Sequence, residues 1–262
     1  MMLPVNRRFI SLLVTCLFGA AAARSADAEW HSLFNGRDLA GWTVKITGHE
    51  LGDNYRDTFR VEDGILKVDY SGYESFDGRF GHLYSDSPYS HYVLRLDYKL
   101  TGDSMAGAPP WIHRNSGVMV HSQSPLSMRL DQDWPVSLEC QFLAEGTSAG
   151  RQTGNACTPG TNLVFNGTFS TDHIIEATSR LYPMDEWIHI EVEVHGHERV
   201  IHRVNGVEVL RYERPTLDER DPDARRLLAA GAPPEISFGH IALQAEGQTV
   251  WFRNIEIRPL QR

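Results

Sequence analysis

Ile188, Ile190, Val192 and Val194 alternate with Trp187, His189, Glu191 and Glu193, the cleanest period-two run in the chain. Successive side chains of a strand point to opposite faces, so this run predicts one buried and one wetted face. Residues 92–100, 115–123 and 136–143 repeat the pattern. Asp63-Gly64 and Asn205-Gly206 each separate two such segments, and both pairs favour two-residue hairpin turns. Two further strands are expected over 235–243 and 248–258. One segment, 221–231, reads as a helix, with Pro222 near its start and Gly231 at its end. Many short strands with frequent turns and a single helix predict an all-β sandwich or barrel in one domain.

The beginning of the chain has a different character. Asn6-Arg7-Arg8 is basic, residues 9–23 are apolar, and Ala26-Asp27-Ala28 supplies small residues on either side of a cleavage position. This layout predicts a secretory signal peptide over 1–28, and hence an exported protein, periplasmic or secreted, starting at Glu29. The apolar run is too short for a membrane span, and no other stretch qualifies. Cys140 and Cys157 remain after cleavage. In an oxidising compartment such a pair predicts a disulfide closing a loop of about 18 residues, worth about 3 kcal/mol. Two buried free thiols are the alternative.

A net charge of −9 without any Lys/Arg stripe argues against nucleic acid as a partner. The sequence has no metalloprotease helix motif, no phosphate-cradling Gly loop and no nucleophile-elbow Ser. What remains is the polar phase of two strands. Val118 and Val120 point one way, with Met119, His121 and Gln123 opposite; Leu138, Cys140 and Phe142 share a face, with Ser137, Glu139 and Gln141 on the other. The expectation is an open sheet face on which His121 and Glu139 act as base or metal ligands and Gln141 binds a polar ligand. Taken singly, each also fits an ordinary solvated strand face. His113 and Arg114 precede this pair of strands and are placed to cap the face. Gln244 and Glu246 flank Ala245, so Glu246 offers a second carboxylate to pair with Glu139, one neutral and one ionised.

Leu33-Phe34-Asn35-Gly36-x-Asp38-Leu39-x-Gly41-Trp42, Asn115-Ser116-Gly117-Val118, Glu139-x-Gln141, and the closing Ile241-Ala242-Leu243-Gln244-Ala245-Glu246 with Phe252-Arg253-Asn254-Ile255-Glu256-Ile257 occur in that order. Together they resemble the 3-keto-disaccharide hydrolase domain family, over residues 30–260. The resemblance implies a concanavalin A-like jelly-roll sandwich of two antiparallel sheets, here spanning 29–262. It also implies action on a saccharide or glycoside oxidised at C3, by β-elimination of the glycosidic bond and addition of water. That chemistry needs a base near C2, and a cation or hydrogen-bond donors for the enolate oxygen. A divalent metal ion is one such cation. Many members carry His-Gly where this chain has Glu246-Gly247, so a ligand role of that His is not carried over. A non-catalytic carbohydrate-binding module and an ordinary glycoside hydrolase are the alternatives.

Overall fold

The alternating runs pair as their apolar phases dictate. The computed structural model describes residue 1 and residues 29–261. Residues 2–28, which carry the basic and apolar parts of the expected leader, lie outside the described residues. The strands are, in chain order, β1 (His31–Ser32), β2 (Trp42–Ile46), β3 (Phe59–Glu62), β4 (Ile65–Val68), β5 (Gly81–Ser85), β6 (His91–Ser104), β7 (Asn115–Ser122) and β8 (Leu138–Leu143). They continue as β9 (Ala156–Cys157), β10 (Thr161–Phe165), β11 (Thr168–Ser170), β12 (Ile174–Ile175), β13 (Ile188–His195), β14 (Arg199–Val204), β15 (Val207–Leu217), β16 (His240–Ala245) and β17 (Gln248–Pro259). Both expected hairpins are present. Asp63 and Gly64 (φ 53° and 76°) join β3 to β4, and Asn205 and Gly206 (φ 48° and 80°) join β14 to β15, the two positive angles that such turns require.

Two antiparallel sheets result. One runs β12-β9-β8-β7-β16-β5-β2; the other runs β11-β10-β15-β14-β13-β6-β17-β4-β3, with β1 also paired to β17. This is the expected jelly-roll sandwich. Val118, Val120, Leu138, Cys140, Phe142 and Leu243 of the first sheet share a core with Leu96, Tyr98, Ile190, Val192 and Phe252 of the second. Tyr98 and Phe142 stack across the gap, 4.1 Å between centroids and 4° from parallel. Sheet-to-sheet packing of this kind supplies the main apolar burial of a sandwich.

The other face of the seven-stranded sheet departs from expectation. It is not open: every residue of β7 and β8 is buried. The loop 124–135 crosses part of it, where Met128 and Trp134 pack on Tyr84, Met119 and Ala242. Buried Lys45 pins this loop, donating from Nζ to the carbonyls of Ile46, His49 and Leu130 at 3.0, 3.0 and 3.2 Å. Gln123, expected to face a ligand, serves the same loop. Its Oε1 accepts from Val136 N at 2.7 Å and from Gln132 Nε2 at 2.9 Å.

The helix forms where expected. In α1 (Pro222–Ala229) the Asp221 carboxylate caps the N-terminus, accepting from the Asp223 and Ala224 amides at 2.9 and 2.8 Å. An Asp at this position fills donors that the first turn cannot satisfy itself. Asp221→Ala is expected to cost about 1 kcal/mol, read as a lower urea midpoint at unchanged slope.

The disulfide is not formed, and the register says why. Cys140 stands opposite Ala156, and Cys157 stands opposite Glu139. The two cysteines are therefore one residue out of phase and point to opposite faces of the sheet. Cys140 lies in the core and Cys157 under the outer face; both are buried free thiols.

Candidate active site

Where the loop 124–135 leaves the outer face uncovered, a cavity of about 960 Å³ opens. Its floor is built from β8, β7 and β16. Glu139 and Gln141 project from β8, two residues apart on the same phase, and Gln244 comes from β16 with Glu246 just beyond that strand. The register brings these strands together: Glu139 pairs with Met119, Met119 with Ala242, and Gln141 with Gly117. Gly117 is the device that lets the floor form. It has no side chain, and Glu139 lies over it; a Cβ there would stand 2.8 Å from Glu139 Cγ and Cδ. A glycine inside a strand commonly marks such a close approach.

Four of the seven expected site residues thus converge: Glu139, Gln141, Gln244 and Glu246 all line the cavity. Gln141 is locked in place, donating from Nε2 to Asn115 Oδ1 at 3.2 Å and accepting from Asn155 Nδ2 at 3.3 Å. The other three carry buried oxygens without any protein partner: Glu139 Oε1, Gln244 Oε1 and Glu246 Oε2. Unsatisfied buried polar atoms are costly, so three in one cavity point to groups held ready for a ligand.

Burial, foremost, pushes the Glu139 carboxyl up to about 8, while the Cys157 thiol as hydrogen-bond donor and the Arg151 guanidinium pull it back. Glu246 is raised well above the usual carboxylate range, first by burial and then by Glu139, with Arg151 again opposing. Burial thus holds both carboxyls toward their protonated forms at neutral pH. Glu139, with two groups favouring its anion, is the one that ionises. Two carboxyls split in this way are the arrangement that acid–base chemistry uses. His173 also borders the cavity, and burial followed by Arg151 lowers its pKa, so the imidazole stays neutral.

The remaining three expected residues are elsewhere. His121 does not join Glu139. Between Ala242–Met119 and His240–Ser122 the register slips by one residue, and His121 takes a left-handed φ of 50°. This bulge breaks the alternation that would have placed the side chain with Met119. His121 Nε2 meets the Gly196 carbonyl at 2.8 Å on the β13–β14 turn of the opposite sheet. Burial above all lowers its pKa to about 4. His113 lies with Nδ1 2.7 Å from Ser104 Oγ, which donates to Gln248 Oε1 at 3.0 Å. Arg114 turns away, donating from its guanidinium to the Glu145 carbonyl, and neither residue lines the cavity.

Arg151, absent from the sequence-based set, is the cation beside both carboxyls. Its Nε is buried without a partner. It comes from the Gly-rich loop 146–160, where no periodicity marks it out. For a metal, the donor set is oxygen-rich and suits a hard divalent cation in type. It consists of two carboxylates and an amide; among the described residues no group of three or more His, Cys, Asp or Glu converges as a metal centre.

The sequence profile of a family described as a 3-keto-alpha-glucoside-1,2-lyase-like domain matches residues 29–258. No curated protein matches by sequence. One crystal structure from Parabacteroides distasonis ATCC 8503, provisionally described as a glycosyl hydrolase, is 20% identical with a TM-score of 0.52, over 88% of this chain and 94% of that one. A second from the same organism, described likewise, is 18% identical with a TM-score of 0.54, over 88% and 100%. At these identities the likeness is one of fold.

Proposed function

This chain belongs to the 3-keto-alpha-glucoside-1,2-lyase-like domain family, and on that premise we propose that it cleaves the glycosidic bond of a glycoside oxidised at C3. The observation that carries the proposal is the buried Glu139–Glu246 pair beside Arg151 in a cavity large enough for a glycoside. A ketone at C3 acidifies the C2 hydrogen. Ionised Glu139 removes that proton, and the electrons pass through C2 to the C3 oxygen as an enolate. Arg151, whose Nε has no protein partner, donates to this oxygen. The enolate then re-forms the ketone, C1=C2 forms, and the C1–O bond breaks as Glu246 gives its proton to the departing oxygen. Water adds to the enone at C1, giving its proton to Glu246, and Glu139 returns a proton to C2.

The leader expected over residues 1–28 makes export part of this reading, with the substrate met outside the cytoplasm. The test is to run the reaction on a 3-keto-glucoside in deuterated water. The expected product is a free 3-keto sugar carrying deuterium at C2, because the proton removed there exchanges before it returns. Release of aglycone with hydrogen retained at C2, or equal turnover of the unoxidised glucoside, would show an ordinary glycosidase. Binding without release would show a sugar-binding module. The base must be ionised to act, so kcat/KM is expected to rise with pH up to about 8, following the Glu139 carboxyl. A rate independent of pH between 6 and 9, to within about twofold, would remove Glu139 from this role.

A further inference from the structure

A wall of three aromatic rings borders the cavity that Glu246 also lines. Phe80 directly precedes Gly81, and Glu246 directly follows Ala245, the register partner of Gly81, so both lie at the same end of the β5–β16 pairing. The Trp111 ring lies 8° from parallel to Phe80 with centroids 6.0 Å apart. Trp134 packs on both, 4.4 Å from Phe80 and 5.8 Å from Trp111. Phe80 is buried, yet Trp111 leaves 44% of its surface exposed while lining the cavity. Its position is fixed from below: it sits in the turn Pro110–Ile112, and Asn115 Nδ2 reaches its carbonyl at 3.4 Å.

Around it the mouth is polar. Asp131, Asp133 and Asp223 border the cavity, with Arg129 already paired to Asp223 at 3.2 Å and to Asp131 at 3.0 Å. The part of the indole not covered by Phe80 and Trp134 is an exposed apolar surface within such a rim, and flat apolar groups are what it can bury. Glu246 gives its proton to the departing oxygen, so the leaving group lies on the side of the cavity that this wall bounds.

We propose that Trp111 is the platform for the leaving group, and that the enzyme selects glycosides whose aglycone offers a flat apolar face. The C–H face of a second pyranose and an aryl ring both have this chemistry. The inference rests on the acid role given to Glu246 above. Trp111 then determines specificity and leaves the bond-breaking steps to the carboxyl pair.

The experiment compares wild type, Trp111→Ala and Trp111→Phe on methyl 3-keto-glucoside, phenyl 3-keto-glucoside and a 3-keto-disaccharide. In Trp111→Ala the ratio of kcat/KM for the phenyl or disaccharide substrate over the methyl substrate is expected to fall about tenfold, and in Trp111→Phe to stay within about twofold. A fall for only one of the two assigns the platform to aryl or to saccharide leaving groups respectively. An unchanged ratio overturns the proposal, since a residue that merely covers Phe80 would weaken all substrates alike. A second measurement keeps the platform separable from the catalytic reading: titration with unoxidised phenyl glucoside and cellobiose, followed by calorimetry. About tenfold weaker binding to Trp111→Ala supports the platform even if no 3-keto-glycoside is cleaved. Equal binding to both proteins, or none to wild type, overturns it.

Discussion

Glu139→Gln is expected to lower kcat on a 3-keto-glucoside by about a thousandfold, the size of effect that loss of a positioned general base produces. The amide keeps the shape that lies over Gly117 and cannot accept the C2 proton. Glu246→Gln removes the acid instead, so its cost depends on the leaving group. The expected loss is about a hundredfold with an alkyl or sugar aglycone and much smaller with nitrophenol, which departs without help. That contrast separates the two carboxyls, because proton removal at C2 precedes departure and Glu139→Gln is blind to the aglycone. Neither variant should unfold. Both carboxyls are buried with an unpartnered oxygen, and a neutral amide removes the penalty of burying charge. Melting temperatures at or above wild type, with activity lost, are the expected pair of results. Wild-type rates in Glu139→Gln would show that the base is another group.

Gly117→Ala is expected to cost about a hundredfold in kcat/KM although it adds only one methyl group and touches no substrate. The new Cβ would stand 2.8 Å from Glu139 Cγ and Cδ and nearer still to Oε1. Glu139 cannot hold its place, and a displacement of about 1 Å of a catalytic group is enough for such a loss. The backbone of Gly117 is not in the left-handed region, so the substitution brings no conformational strain of its own. The check is a double-mutant comparison. Gly117→Ala should lose little further activity when combined with Glu139→Gln, because both act on the same side chain. Additive losses would place the damage elsewhere in the sheet.

The fold was largely legible because it rests on local signals. The alternation over 187–194 became β13, the Asp63-Gly64 and Asn205-Gly206 turns became hairpins, and Asp221-Pro222 capped the helix. The site was half legible. Glu139, Gln141 and Gln244 reach one cavity because undisturbed pleating keeps each on its expected phase, and Glu246 joins them from the bend just past β16. His121 was misplaced because a bulge is a two-strand event: the extra residue is defined only against β16, which lies more than a hundred positions away in sequence. The disulfide failed for a related reason, since cysteine spacing carries no information about which face each thiol takes. Arg151 and Trp111 come from irregular segments, where position follows from packing rather than period. Gly117 alone could have been read from the sequence, as a strand glycine facing the carboxylate phase.

The order of strands in the seven-stranded sheet has a consequence for how the protein acquires its cavity in time. Glu139 lies on β8 and Glu246 just past β16, strands separated by β7, and β16 joins β7 only after more than a hundred intervening residues have been spanned. Closing so long a loop is entropically expensive and is repaid only when both partners are in register. Hairpins such as β13–β14 need no such search and can form early. The carboxyl pair is therefore assembled only once this long-range pairing has formed, and recovery of activity during refolding should trail recovery of strand signal.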